Sequence, residues 1–300
     1  MLLGYRLPLF YIKWALHILI LCLCAVLVCN SCRYVVLSPV TTRDLPGRDA
    51  HLALGNPSNA TASMANYDNY LMEKVQYALS YNRSRGCANW VSWHLGKAWR
   101  GAAPRQNNFR SDPALPAGWE RAKTNDYTNT GFDRGHICPS DDRDGSIEDN
   151  SATFVMTNIM PQAPENNQQT WRFLEEYCRK LVSQGSELYI IAGSYGRGGT
   201  GSKGGRTSTI ADGRIVVPAR TWKVILVLSD GGNDLGRVAQ DTRIIAVSMP
   251  NTQSVTDKEW GQYRVSVDEL ESATGLDFFS KLPANLQRSL ESGEDSGPTK

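Results

Sequence analysis

A chain of 300 residues, 41% hydrophobic and 21% charged, is long enough for one sizeable core, which excludes wholesale disorder and collagen-like repetition. Lys and Arg total 32 against 30 Asp and Glu, and Arg6 and Lys13 are the only charges before Cys32, so the remainder is neutral. Binding of nucleic acid through bulk positive charge is thereby excluded, and any phosphate-binding function has to rest on a local basic cleft.

Residues 14–29 form an apolar stretch broken only by His17, with Arg6 and Lys13 before it and Asn30 and Ser31 after it. Residues 1–32 therefore read as an export signal. The stretch is shorter than the roughly 20 residues of a relaxed spanning helix, so a signal anchor ranks second. Cys32, after Ser31, is a degenerate candidate for lipidation, ranked below simple cleavage. Residues 33–66, rich in Pro, Gly, Ser, Thr and Asn, are expected to be mostly linker, with 51–54 as the one fixed point. The folded domain is expected over residues 67–292, followed by a flexible tail at 293–300.

Within that domain, residues 70–81 and 89–94 read as two strands joined by a hairpin at 82–86. Residues 152–157 read as a strand, and 170–182 as a helix whose Trp171, Leu174, Cys178 and Leu181 share an apolar face. Residues 187–192, 214–217, 222–228 and 242–247 read as core strands, and 267–271 and 282–291 as short helices. Late strands in succession point to an α+β fold rather than regular βαβ units. Trp90, Trp93, Trp99, Tyr77 and Tyr81 fit core packing better than a base-stacking platform. The glycine-rich tract 193–205 has Ser202 where a phosphate-binding Walker loop needs lysine, and reads as a surface loop bearing Arg197, Lys203 and Arg206.

Cys87, Cys138 and Cys178 are far apart and allow at most one bridge, so buried thiols are expected. Four histidines without an HExxH motif leave little material for zinc, and favour a hard, oxygen-ligated ion such as Mg2+ or Mn2+.

The densest polar information lies in Gly131-Phe132-Asp133-Arg134-Gly135-His136, followed by Asn158-Ile159-Met160-Pro161-Gln162 and Asn166-Asn167. Taken alone, His136 reads as a satisfied, partly buried histidine, but its companions suggest chemistry. Neutral imidazole takes a proton from water near pH 7, and a carboxamide oxygen holds a hydrated Mg2+ without cancelling its charge. Asn167 is a candidate ligand, with helix capping as the alternative. Asn167, Trp171, Glu175 and Arg179 recur every four residues, drifting about 40 degrees per step around a helix. Glu175 and Arg179 read either as a surface ion pair worth about 0.5 kcal/mol or less, or as a water-orienting carboxylate and a phosphate-holding guanidinium. Glu176 points about 100 degrees further round and is expected to be solvated. Arg105 and Arg110 sit in a Pro-bounded loop suited to presenting a guanidinium to phosphate.

These residues resemble the DNA/RNA non-specific endonuclease family, with its ββα-metal (His-Me finger) core, and especially its secreted cyanobacterial members. The resemblance runs over roughly residues 51–291. It is carried by Asn69-Tyr70-Leu71-Met72, the loop Arg105-Gln106-Asn107-Asn108-Phe109-Arg110, Asp133-Arg134-Gly135-His136, Met156-Thr157-Asn158-Ile159-Met160-Pro161-Gln162, Asn166-Asn167 and the segment from Trp171 to Arg179. It implies a mainly antiparallel sheet flanked by helices. It also implies His136 as general base, Asn167 as the sole direct protein ligand of Mg2+ or Mn2+, and Glu175 acting on the ion through water. Arg105 becomes a transition-state stabiliser, Arg134 and Arg179 bind phosphate, and Asp133 and Gly135 give structural support. Asn166 competes with Asn167, and the family spacing favours Asn167.

The implied activity is hydrolysis of DNA and RNA with little sequence preference, leaving 5′-phosphate and 3′-hydroxyl ends. The implied partners are nucleic acids, a protein inhibitor being left open; a monomer is favoured, and the leader points to a periplasmic or secreted location with a membrane tether remaining open. The main alternative is an exported nucleic-acid-binding protein that kept the cleft and lost catalysis. A structural envelope-associated domain ranks third.

Overall fold

The computed structural model describes residues 51–300; the expected leader and the first part of the expected linker lie outside the described residues. Six strands form one antiparallel sheet, in the order β1 (Tyr70–Glu73), β2 (Ala78–Asn82), β3 (Cys87–Leu95), β6 (Ser186–Tyr195), β9 (Arg220–Ser229) and β10 (Ile244–Pro250). Two short antiparallel ladders stand apart, β4 (Asp133–His136) with β5 (Ile159–Gln162), and β7 (Thr209–Ile210) with β8 (Ile215–Val216). This is the expected α+β class. The segment 70–81, read as one strand, is two: the Lys74 N–H donates to the Tyr77 carbonyl at 2.9 Å and folds β1 back on β2.

Strand alternation separates two cores. On β9, Trp222, Val224, Leu226 and Leu228 face one side, while Lys223, Ile225 and Val227 face the other. Helix α1 is Ile147–Ala152 and helix α2 is Trp171–Ser183. The latter lays Trp171, Leu174, Tyr177 and Cys178 over the Ile225 face, where each fully buried large apolar side chain contributes about 1.5–3 kcal/mol. Helices α3 (Val267–Thr274) and α4 (Ala284–Glu291) cover the Trp222 face through Val267, Leu270 and Leu290. Cys87, Cys138 and Cys178 are buried free thiols. Among the described residues no helix is long and apolar enough to cross a membrane.

Three expectations are corrected. Residues 152–157 are not a strand: α1 ends at Ala152, a tight turn spans Met156–Asn158, and β5 starts only at Ile159. Capping chemistry outweighs β propensity here, because the Ser146 hydroxyl accepts from the Asp149 N–H at 3.0 Å and the Thr153 hydroxyl donates to the Asn150 carbonyl at 2.7 Å. Residues 51–54 are fixed as expected, with Leu54 buried in the second core, but the packing runs on through 55–60, where Ala60 is buried in the same core and the Trp90 indole donates to the Ser58 hydroxyl at 2.8 Å. Residues 293–300 are docked rather than flexible, since Asp295 forms a bidentate pair with Arg243 at 2.8 and 2.9 Å and Lys300 reaches Glu259 at 2.8 Å. In both segments some of the polar groups that suggested solvation bond the body instead, Ser58 to Trp90 and Asp295 to Arg243.

Candidate active site

The β4–β5 ladder pairs Gly135 with Met160 and His136 with Ile159. A Cβ at position 135 would lie 2.6 Å from the Gln162 Cβ, an atom fixed to the backbone, so glycine is what lets the two strands close here. Asn158 locks the far end: its Oδ1 accepts from the Cys138 N–H at 2.9 Å, and its Nδ2 donates to the Cys138 and Thr153 carbonyls. From β5 the chain passes through a single wide π-type turn, Asn166–Thr170, directly into α2. Strand, strand and helix thus form the expected ββα unit, with the wide turn an addition that sequence spacing did not reveal. Such turns cost backbone regularity and concentrate at functional positions.

The wide turn decides between the two asparagines. Asn166 is fully buried, accepting from Gln162 Nε2 at 3.1 Å and donating to the Thr221 hydroxyl and the Pro250 carbonyl, each at 3.1 Å. Asn167 instead lines the cleft. Its Nδ2 donates to Asp133 Oδ2 at 2.8 Å, and Gln168 Nε2 donates to the same oxygen at 2.8 Å. With its amide nitrogen committed to Asp133, Asn167 has its carbonyl oxygen left to present.

That cleft, about 200 Å³, is lined by Arg105, Arg134, His136, Asn167, Glu175 and Arg179 among others. A neighbouring hollow of about 320 Å³ shares Arg105, Arg134 and Asn167. The His136 ring sits between Phe109 and Phe154, with centroids 5.3 and 4.7 Å away. The Arg134 guanidinium stacks on Phe109 at 4.4 Å, and that of Arg105 on Phe154 at 4.9 Å, while Arg105 also donates to the Ser140 hydroxyl at 2.6 Å. Burial, reinforced by these two guanidinium groups, pushes the His136 pKa down to about 3, so the ring is neutral at pH 7. Its Nε2 is buried without a hydrogen-bond partner.

Glu175 is nearly enclosed, and burial pushes its carboxyl up to about 7 although Lys223 and Arg179 oppose the shift. Lys223 Nζ lies 3.6 Å from the carboxylate and 4.3 Å from the centre of the Trp171 ring, with Trp93 at 5.5 Å. Arg179 does not form the expected pair with Glu175; it bonds Asp142 at 3.1 Å, with Asp141 at 3.8 Å, and these carboxylates keep it charged against the cost of burial. Glu176 is exposed and paired with Arg172, as the helix geometry predicts. Arg110 turns away, its guanidinium donating to the Ser151 carbonyl at 2.9 Å.

Sequence reading passed over Lys223, Asp142 and the two phenylalanines that flank His136. Only Lys223 carried a signal, as a charge at an inward-facing position of a core strand. The available donors, an asparagine carbonyl and a buried carboxylate, are oxygen atoms and suit a hard divalent cation. A separate group on the opposite sheet face, His94, Glu187 and Asp234, has ligand atoms within 4.8 Å of one another and is capable of coordinating a divalent ion. There Arg237 bonds both Glu187 and Asp234.

An antiparallel sheet flanked by helices, with a ββα unit carrying a histidine beside oxygen donors, defines the His-Me finger class of metal-dependent nuclease folds. The chain belongs to the DNA/RNA non-specific endonuclease family, whose sequence profile matches residues 55–285. It is 52% identical over 258 residues to a nuclease of Nostoc sp., covering 86% of this chain and 90% of that protein. Nuclease C1 of Cunninghamella echinulata is 31% identical over 244 residues, covering 79% of this chain and 90% of that protein. Among solved structures, a crystal structure of the EndoG/EndoGI complex superimposes with a TM-score of 0.63 at 22% identity, covering 78% of this chain and 91% of that one.

Proposed function

We propose that the protein is a Mg2+- or Mn2+-dependent endonuclease that hydrolyses phosphodiester bonds of both DNA and RNA, leaving 5′-phosphate and 3′-hydroxyl ends. The observation that carries the proposal is the meeting of a neutral His136 with the carbonyl of Asn167 and the guanidinium groups of Arg105, Arg134 and Arg179 in one cleft. In this reading His136 accepts the proton of the attacking water. Arg105, steadied by Ser140 and Phe154, carries charge to the phosphate in the transition state, and Arg134 and Arg179 hold its oxygens. A phosphate seated between Arg105 and Arg134 offsets the positive charge that depresses His136, raising its basicity as substrate binds.

Asn167, turned by Asp133, would hold the ion through its carbonyl oxygen, and Glu175 would accept hydrogen bonds from water at the site. A divalent ion bound there supplies positive charge to phosphate oxygens and acidifies its own water. Contacts confined to phosphates carry no sequence information, and a water nucleophile needs no 2′-hydroxyl, which together account for action on both sugars. Export belongs to the same proposal and rests on the apolar stretch 14–29; fractionation of producing cells tests it. A protein inhibitor is a further part, prompted by the EndoG/EndoGI neighbour, and would act by covering the arginine-lined cleft.

The deciding assay is divalent-ion-dependent nicking of supercoiled DNA and fragmentation of RNA, with His136→Ala beside the parent. Removing the base should lower turnover by about 10²- to 10⁴-fold while nucleic-acid retardation in gels persists. Near-normal turnover in the variant would sink the assignment, and retardation without cleavage by the parent would favour the inactive binder.

A further inference from the structure

On the Trp222 face of the sheet, remote from the cleft, α3 and α4 bring three carboxylates together. Asp268 and Glu271 are one turn apart on α3, and Glu291 is the last residue of α4. One oxygen from each lies within 4.8 Å of the others. Among the described residues none of the three forms an ion pair, so no lysine or arginine offsets their charge. Like charges this close repel, and a carboxylate at a helix C-terminus also opposes the helix dipole.

Glu291 supplies an independent pointer. It is only 6% exposed, yet its Oε1 is buried with no hydrogen-bond partner. Glu271, by contrast, has Oε1 accepting from the Phe278 N–H at 2.7 Å. A buried carboxylate oxygen left unbonded costs several kcal/mol in general and is retained where something else satisfies it.

We propose that Asp268, Glu271 and Glu291 form a calcium site that clamps α4 to α3 over the second core. Oxygen-only donors suit a hard cation. Calcium binds oxygen at about 2.3–2.6 Å, so one ion bridges oxygens up to twice that distance apart, whereas Mg2+ at about 2.0–2.1 Å demands a tighter cage. Both helices bury their apolar residues against the sheet, so ligation there stabilises the fold without touching the cleft.

The test is calcium titration by calorimetry together with thermal unfolding of the full chain, in the Asn167→Ala background so that the cleft does not contribute. Binding in roughly the 0.1–1 mM range is expected, with Tm rising by about 5 °C or more at a hundredfold excess over the dissociation constant. Glu291→Gln should abolish the rise. Asp268→Asn, at an exposed position that tolerates substitution, should weaken binding about tenfold and serves if the first variant does not fold. Absence of a calcium-dependent rise in the Asn167→Ala protein, or a rise unchanged in either carboxylate variant, would overturn the site.

Discussion

Glu175→Gln separates what the cleft costs the fold from what it offers to function. In the unfolded chain this carboxyl titrates near its ordinary value of 4.5; in the folded, metal-free protein burial moves it to about 7, with Lys223 and Arg179 already counted. The sign follows from which state holds the proton. Below pH 4.5 both states are protonated and stability is full. Between 4.5 and 7 the folded state keeps a proton the unfolded state releases, so stability falls as pH rises, and above 7 the whole penalty is felt. At 1.36 kcal/mol per pH unit the penalty is on the order of 3 kcal/mol. Glutamine mimics the protonated group at every pH. In EDTA at pH 8 the variant should therefore unfold roughly 4–12 °C above the parent, and at pH 4 the two should coincide. Cleavage should fall about 10- to 100-fold, the usual cost of removing a group that acts on a metal through water. Unfolding followed by circular dichroism at both pH values, with nicking assays alongside, tests each half. A variant no more stable than the parent at pH 8, or equally stabilised at pH 4, would refute the argument.

Two further predictions concern neighbouring positions. Glu176→Gln removes a solvated partner of Arg172 and should leave cleavage within about threefold of the parent and Tm unchanged, since exposed pairs contribute about 0–1 kcal/mol; a loss matching that of Glu175→Gln would contradict the helix-face geometry. Gly135→Ala places a methyl group against Gln162, forces β4 and β5 apart and should cost about 1–3 kcal/mol along with most of the activity. An alanine protein with parental Tm and turnover would show that the ladder yields without consequence.

How much was legible depended on the range of the interaction. Near-continuous apolar runs placed the core strands at 187–192 and 222–228 within longer observed strands, because a strand buried on both faces is apolar at nearly every position. The four-residue recurrence from Asn167 to Arg179 likewise put Glu175 inward and Glu176 outward. Composition misled at 55–60 and at Asp295, where polar side chains bond the protein rather than water. Strand propensity misled at 152–157, where a cap and a helix end took precedence.

The sequence by itself determined the α+β class, the neutral body and the set of residues that could meet around a histidine, because these depend on periodicity and on motifs a few residues long. Tertiary structure alone decided that Asn166 is consumed by Thr221 and Pro250 while Asn167 faces the cleft. It also decided that Arg179 answers to Asp142 rather than Glu175, and that Lys223 closes the site from a strand more than 40 residues away. Each of these outcomes hangs on which groups burial forces together, and the desolvation that shifts His136 down and Glu175 up exists only once the sheet, the ladder and the helix have packed.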